Sequence, residues 1–289
     1  MSAPILDVKN LRVSFDGVEI LTGLTLQLDH GELRFLIGPN GAGKTTFLDV
    51  VTGKVRPTGG SVIFDGRVDV RRQSIDGLAR IGIGRKFQAP SIFASLTVRE
   101  NVAVAANGRR SAFALLGGTA ARTAGLVDEV LETVGLIEHA NLRAGILAHG
   151  EQQWLEIGLL LAQQPKLLLL DEPVAGMTRA ERDRTGELLK TIARQHSVLI
   201  VEHDMHFVRQ FSAKVTVLHA GRVLTEGPMS EVQNDERVIE VYLGKSARRG
   251  NGVEPSLEQG KIETVAPREV DNAEYRAPDG WLRRWDSFG

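Results

Sequence analysis

The chain has 289 residues, 42% of them hydrophobic and 25% charged, with a formal net charge of −1 and no cysteine. This is the composition of an ordinary globular protein, long enough for one core domain plus a subdomain or tail. Near-neutrality provides no general field for nucleic acid, and the lack of cysteine excludes disulfides, thiolate nucleophiles and cysteine metal sites. Met1 to Asn10 lack a secretory pattern, and no apolar run approaches the roughly 20 residues that span a bilayer, so a membrane role would have to be borrowed from a partner.

Two β-rich runs, Ile5 to Phe15 and Val18 to Leu28, are joined by Asp16-Gly17, which predicts an antiparallel hairpin. Phe15, just before the turn, either offers its ring to a stacked purine or is a core phenylalanine at a strand end. Glu32 to Ile37 reads as a buried strand, and Lys44 to Val51 as a helix. Between them Gly38, Pro39, Asn40, Gly41, Ala42, Gly43, Lys44, Thr45 and Thr46 fit the phosphate-loop pattern of glycine, four residues, then Gly-Lys and a hydroxyl. Glycines let the backbone turn its N–H groups inward, and the next helix aims its positive end at the same point. Polyphosphate suits such a pocket, with Lys44 as a point charge on it and the Thr45 hydroxyl on Mg²⁺.

Pro57 to Gly60 breaks the chain before a strand at Ser61 to Phe64 and a turn at Asp65-Gly66. Ile75 to Arg80 is a short helix. The run Ile81 to Phe87 carries too many glycines for a helix interior, and Gln88 falls in a loop ahead of Ala89-Pro90. From Thr97 to about Gln164 the pattern becomes helical. Thr97-Val98-Arg99-Glu100 has capping-box spacing. Asn107 to Gly118 is the expected mobile link. Val127, Val130, Leu131 and Val134 form one helical face ending at Gly135, and Glu151 to Ala162 is a further helix stopped by Pro165.

Four leucines, 167 to 170, read as a strand buried on both faces, with Asp171-Glu172-Pro173 at its end. At the carboxyl end of a parallel strand this pair can hold Mg²⁺ and deprotonate water, whereas alone it would be a solvated helix start. Glu181 to Arg194 is a charged helix expected to be exposed. Val198 to Val201 is a second buried strand ending in Glu202-His203-Asp204, where the His203 imidazole can donate to a γ-phosphate. The other six histidines read as surface or capping residues. Val215 to Thr225 is a hairpin about Gly221, and Val232 to Leu243 a closing helix. Lys245 to Asp279 has the composition of a disordered segment. Trp281, Leu282, Trp285 and Phe288 then recur near helical spacing, to dock on their own domain or on a partner or membrane surface.

In this order the motifs from Ile5 to Gly244 resemble the ATP-binding cassette (ABC) subunits of membrane transporters. The resemblance makes Gly38 to Thr45 the Walker A loop, with Thr46 beside it as a further nucleotide contact, Gln88 the Q-loop, Leu167 to Asp171 the Walker B strand, Glu172 the catalytic base, Pro173 to Met177 the D-loop and His203 the switch histidine. Phe15 takes the adenine-stacking position. ATP and Mg²⁺ are implied, the metal through Thr45, Gln88 and Asp171. The implied fold is an α/β P-loop ATPase core over residues 1–244, with a mostly parallel sheet, an N-terminal antiparallel β subdomain and an inserted helical subdomain at about 91–164. Residues 245–289 form a tail.

Gly84 to Gln88, Asp171 to Met177 and Glu240 to Gly244 look like the branched-chain amino acid and urea uptake branch. Val51 to Lys54 and Trp154 to Gly158 look closest to its urea-type subunit. Urea is therefore the first expectation, with branched-chain amino acids or short amides second. The implied partners are a second cassette, transmembrane permease subunits and, indirectly, a solute-binding protein, with the chain peripheral on the cytoplasmic side of the inner or plasma membrane. The family signature falls on Leu147, Ala148, His149, Gly150 and Glu151, acting in trans on the opposite subunit's γ-phosphate. Ala148 lacks the serine hydroxyl, which predicts a heterodimer whose two sites are unequal. Two other classes fit less of the pattern: a regulatory subunit that binds ATP with little hydrolysis, and a soluble cassette acting on ribosomes or DNA.

Overall fold

The computed structural model describes residues 3–86, 92–107 and 119–243. The chain opens with strands β1 (Leu6–Phe15) and β2 (Val18–Leu28), paired antiparallel with Phe15 opposite Val18. Asp16 and Gly17 both take positive φ, 49° and 85°, as a two-residue turn matching strand twist requires. Asn10 at φ 48° marks a bulge, after which the inward face resumes at Leu11 and Val13. Strand β4 (Gly59–Phe64) pairs with β1 and the two-residue β5 (Val68–Asp69) with β4, giving an antiparallel sheet ordered β2-β1-β4-β5.

The second sheet has six strands. It contains β3 (Leu33–Ile37), β6 (Ile83–Arg85), β7 (Leu167–Asp171), β8 (Ser197–Val201), β9 (Lys214–His219) and β10 (Arg222–Gly227), in the order β10-β9-β3-β8-β7-β6. All pairings are parallel except β9 with β10. The strands are apolar on both faces because both are covered. Leu36, Leu167, Leu169, Leu199 and Val201 pack toward helix α1 (Lys44–Val51) and the antiparallel sheet. Their alternates Phe35, Ile37, Leu168, Leu170, Val198 and Ile200 pack toward the other helices.

Those helices are α3 (Val98–Asn107), α4 (Thr119–Thr133), α5 (His149–Leu161), α6 (Arg179–Ala193) and α7 (Met205–Phe211), with the short α2 (Ile75–Ile81) beside β6. Thr97 and Glu100 form the expected capping box, Glu100 accepting from the Thr97 N–H at 2.7 Å and Thr97 Oγ1 from the Glu100 N–H at 3.1 Å. Val127, Val130 and Leu131 of α4 and Val134 just past its end form a buried stripe, and the chain turns at Gly135, φ 69°. None of the described helices is long and apolar enough to cross a membrane.

Three expectations need correction, and one helix is new. Helix α5 begins at His149 rather than Glu151, because Glu151 is its third residue and turns its carboxylate back to the Ala148 N–H at 3.0 Å. Helix α6 is not simply exposed: Thr185, Gly186, Leu188, Leu189 and Ile192 are buried, with Trp154 Nε1 donating to Thr185 Oγ1 at 2.9 Å. The closing helix is split into α8 (Met229–Val232) and α9 (Glu236–Leu243). Asn234 and Asp235 compete for the backbone at the break, the Asp235 carboxylate accepting from the Arg237 N–H at 2.9 Å. Helix α7 is an addition, started by Asp204, whose carboxylate accepts from the Phe207 N–H at 3.0 Å. The expected link at 107–118, apart from Asn107 at the end of α3, and the tail beyond Leu243 lie outside the described residues.

Candidate functional site

Strand β3 delivers the chain to Gly38 with every residue of the strand buried. Gly38 sits against the Leu218 carbonyl of β9 and Gly43 (φ 100°) against the Leu21 side chain of β2, so a Cβ at either position would overlap its neighbour. Both ends of loop 38–43 therefore lie in spaces only glycine fits, and α1 starts at Lys44. Lys44 Nζ folds over the loop, donating to the Gly38 carbonyl at 2.6 Å and the Pro39 carbonyl at 3.1 Å. Thr45 is exposed and Thr46 half-buried at the first turn of α1, beside the N–H groups that no helical carbonyl reaches.

Strand β7 runs between β8 and β6, its four leucines fully buried, and releases Asp171 and Glu172 at its carboxyl end. Glu172 adopts φ 49°, with its N–H donating to the Val201 carbonyl at 2.9 Å. Strand β8 ends one position away, so His203 Nδ1 lies 3.2 Å from Glu172 Oε1. Burial pulls the Lys44 ammonium below its usual pKa, and the Glu172 and Asp171 carboxylates push it back up. Lys44, Asp171, Glu172 and His203 thus share one corner at the carboxyl ends of β3, β7 and β8.

Asp171 Oδ2 is buried and accepts no hydrogen bond; Arg85 Nη2 approaches it at 3.6 Å, an ion pair rather than a hydrogen bond. Burial raises the Asp171 carboxyl above its ordinary range; Arg85 opposes that and Glu172 adds to it. An orphaned carboxylate oxygen beside a hydroxyl-bearing phosphate loop is the oxygen donor set Mg²⁺ takes, with phosphate and water completing the shell. Asp171 and Thr45 therefore fit the metal. Gln88 lies outside the described residues.

The signature segment occupies another place. Ala148 is the N-cap of α5, in extended geometry (φ −61°, ψ 158°) and without a side-chain acceptor. His149 Nε2 is 3.3 Å from the Ala175 carbonyl, Gly150 packs under the Glu181 carboxylate, and Gln152 Nε2 donates to the Leu147 carbonyl at 3.0 Å. Glu151 Oε1 also pairs with His139 Nδ1 at 3.0 Å, so this carboxylate is engaged within its own subunit. Phe15 is 47% exposed at the tip of the hairpin whose Leu21 touches Gly43.

Reading the residues in order missed Arg85, Asp49 and Glu202. Arg85, buried on β6, binds the Asp49 carboxylate of α1 and lies 3.4 Å from Thr52 Oγ1 while facing Asp171, linking the phosphate-loop helix to the acidic strand end. Its only sequence signal is a cation inside the short glycine-spaced run at 81–87. Glu202 was visible beside His203, but nothing in the sequence distinguishes a buried carboxylate from a solvated one.

A family model described as ABC transporter matches residues 21–175, and one described as branched-chain amino acid ATP-binding cassette transporter matches residues 222–248. The high-affinity branched-chain amino acid transport ATP-binding protein LivG of Salmonella typhimurium is 37% identical over 261 residues, covering 85% of this chain and 100% of the relative. A solved nucleotide-free ATP-binding cassette from an ABC transporter superposes with a TM-score of 0.72 at 28% identity, covering 84% of this chain and 100% of that one. The dimeric post-hydrolysis cassette MJ0796 bound to ADP and Pi gives a TM-score of 0.66 at 25% identity, covering 78% and 98%.

Proposed function

The chain belongs to the ABC transporter family as an ATP-hydrolysing subunit, and we propose that it energises uptake of branched-chain amino acids through a membrane importer. The observation that carries the hydrolytic part is the meeting of Lys44, Asp171, Glu172 and His203 at the strand tips. Lys44 and the N–H groups of loop 38–43 hold the β- and γ-phosphates. Bound Mg²⁺ would neutralise charge developing on the phosphate oxygens, held by Thr45 and Asp171, with Gln88 reaching its waters. Glu172 takes the proton of the attacking water, and His203 donates to the γ-phosphate while keeping the Glu172 carboxylate oriented. Phe15 stacks the adenine.

The solute assignment is supported by the C-terminal match at residues 222–248 and by the LivG relative. Urea, the first expectation, retains only the segments Val51 to Lys54 and Trp154 to Gly158 and takes second place. The chain pairs with a second cassette, whose γ-phosphate its segment Leu147 to Glu151 completes; Ala148 favours an unlike partner. A cavity of about 250 Å³ between α2, β6, α3 and α5 exposes Ile75, Phe93 and Val104, an apolar groove for a permease segment on the cytoplasmic face of the membrane. A solute-binding protein would act on those permeases, not on this chain.

The test combines E172Q with transport. E172Q is expected to bind ATP and not turn it over; hydrolysis at the parental rate overturns the assignment of the base. Cells lacking the chain are expected to lose leucine uptake and keep urea uptake; the reverse pattern selects the urea reading.

A further inference from the structure

Glu202 stands one residue beyond β8, next to His203, and is 1% exposed. Its Oε1 accepts from the Val174 N–H at 3.4 Å, and its Oε2 accepts from the N–H groups of His203 at 3.1 Å and Asp204 at 3.4 Å. Its own N–H donates to the Leu36 carbonyl of β3 at 3.4 Å. One buried carboxylate thus receives the backbone on two sides: the segment that leaves Glu172, and the switch histidine itself.

The working side chains have no such support of their own. Glu172 is 49% exposed and His203 65% exposed, so packing leaves their orientation to their mutual contact and to the backbone at their roots. At Glu172 that backbone is left-handed, a conformation a non-glycine residue keeps only where its surroundings over-determine it. Pro173 follows, and the next N–H in the chain is the one Glu202 accepts. Burial pushes the Glu202 carboxyl above its ordinary range, while the Asp204, His203 and Val174 N–H groups pull it back.

We propose that Glu202 is a positioning residue for hydrolysis, its two carboxylate oxygens fixing the Val174 and His203 amides so that the Glu172 and His203 side chains stay in contact. This rests on the reading of Glu172 as base and His203 as phosphate contact. Both oxygens are required. A glutamine has one oxygen and one NH₂, so it must abandon either the Val174 side or the His203–Asp204 side and present a donor to a donor. An aspartate keeps the charge but withdraws it by one methylene.

The experiment compares parent, E202Q, E202D and E172Q as full chains with the subunits that copurify. It measures ATP turnover, affinity for a fluorescent Mg·ATP analogue, and amide hydrogen exchange. E202Q is expected to lower kcat about tenfold or more while changing nucleotide affinity less than about twofold, the loss of a charged hydrogen bond being felt at the corner alone. Exchange at Val174 or His203 is expected to quicken while Phe47 and Leu48 of α1 keep their parental rates, and E202D is expected to fall between. Parental turnover and exchange in E202Q overturn the proposal, as does quickened exchange spread evenly over the chain. If E202Q does not fold, E202D decides by the same local exchange. An inactive E172Q beside a parental E202Q removes only the role of Glu202; an E172Q that hydrolyses normally removes the reading beneath it.

Discussion

Replacing Ala148 with serine should stabilise the chain by about 1 kcal/mol, the typical worth of a side-chain N-cap. The backbone is already set: Ala148 has the extended φ and ψ of a cap and is exposed, so a hydroxyl meets neither reorganisation nor desolvation. Half of the capping box is also present, since Glu151 accepts from the Ala148 N–H at 3.0 Å. The complete version stands at α6, where Glu181 accepts from the Thr178 N–H at 2.8 Å and Thr178 Oγ1 accepts from the Glu181 N–H at 3.3 Å. A serine at 148 is expected to accept likewise from the Glu151 N–H. Thermal and urea unfolding are to be compared for the parent, A148S and T178A. A148S should raise Tm by about 2–3 °C, and T178A should lower it by a similar amount. A T178A that costs the usual amount beside an A148S that adds nothing would refute the reasoning, because the geometry of the two sites is the same. In the assembled pair the same hydroxyl should also raise turnover by donating to the partner's γ-phosphate, a charge-assisted bond worth about 1.5–3 kcal/mol. Stabilisation with unchanged turnover would keep the cap and remove the contact in trans.

Two further predictions follow from buried polar side chains. Arg34 is fully buried on β3, donating to Glu32 Oε1 at 2.6 Å, Thr216 Oγ1 at 2.7 Å, Glu226 Oε2 at 2.8 Å and the Gln27 carbonyl at 3.1 Å. R34A removes the buried cation and leaves those carboxylates only Lys214 Nζ, at 3.4 Å from Glu226 and 4.0 Å from Glu32. It should cost about 3 kcal/mol in urea unfolding; a cost under about 1 kcal/mol would show that Lys214 and water replace the arginine freely. Tyr242 has its phenol pushed up to about 12 by burial. Because the folded value lies above the unfolded value of about 10, the neutral phenol stabilises the fold below pH 10, and that stability is lost as pH rises through 12. Tyrosinate absorbance should show a step near pH 12 that Y242F removes; the same step in Y242F would refute the burial argument.

The elements legible in the sequence are those whose local chemistry and tertiary surroundings agree. Asp16-Gly17 turns as its residue types dictate, the run of leucines becomes a central strand, and Lys44 to Val51 is helical over the predicted span. Legibility fails where tertiary contact decides. Glu181 to Arg194 looks solvated because its charges outnumber its apolar residues, yet Leu188, Leu189 and Ile192 lie on one side and face the core. The start of α5 was misplaced because a capping box without a hydroxyl has no signature; only the reach of Glu151 to the Ala148 N–H reveals it.

The candidate site divides along the same line, and the reason is dielectric. Residues expected to touch phosphate or water, such as Lys44, Glu172 and His203, sit at fixed offsets from strands and glycines, so pattern alone nominates them. The residues that tie the elements of the site to one another are charged side chains taken out of water: Arg85 between Asp49 and Asp171, and Glu202 under three amides. Burying a charge costs several kcal/mol unless partners from distant segments surround it. For Arg85 those partners lie on α1 and β7, and for Glu202 one lies beyond Glu172, so the neighbouring residues could not have announced them. A buried charge with partners on two separate functional segments is therefore the feature to seek when the motif residues are already known. Here it separates Glu202 and Arg85 from the many solvated acids and arginines with identical local sequence character.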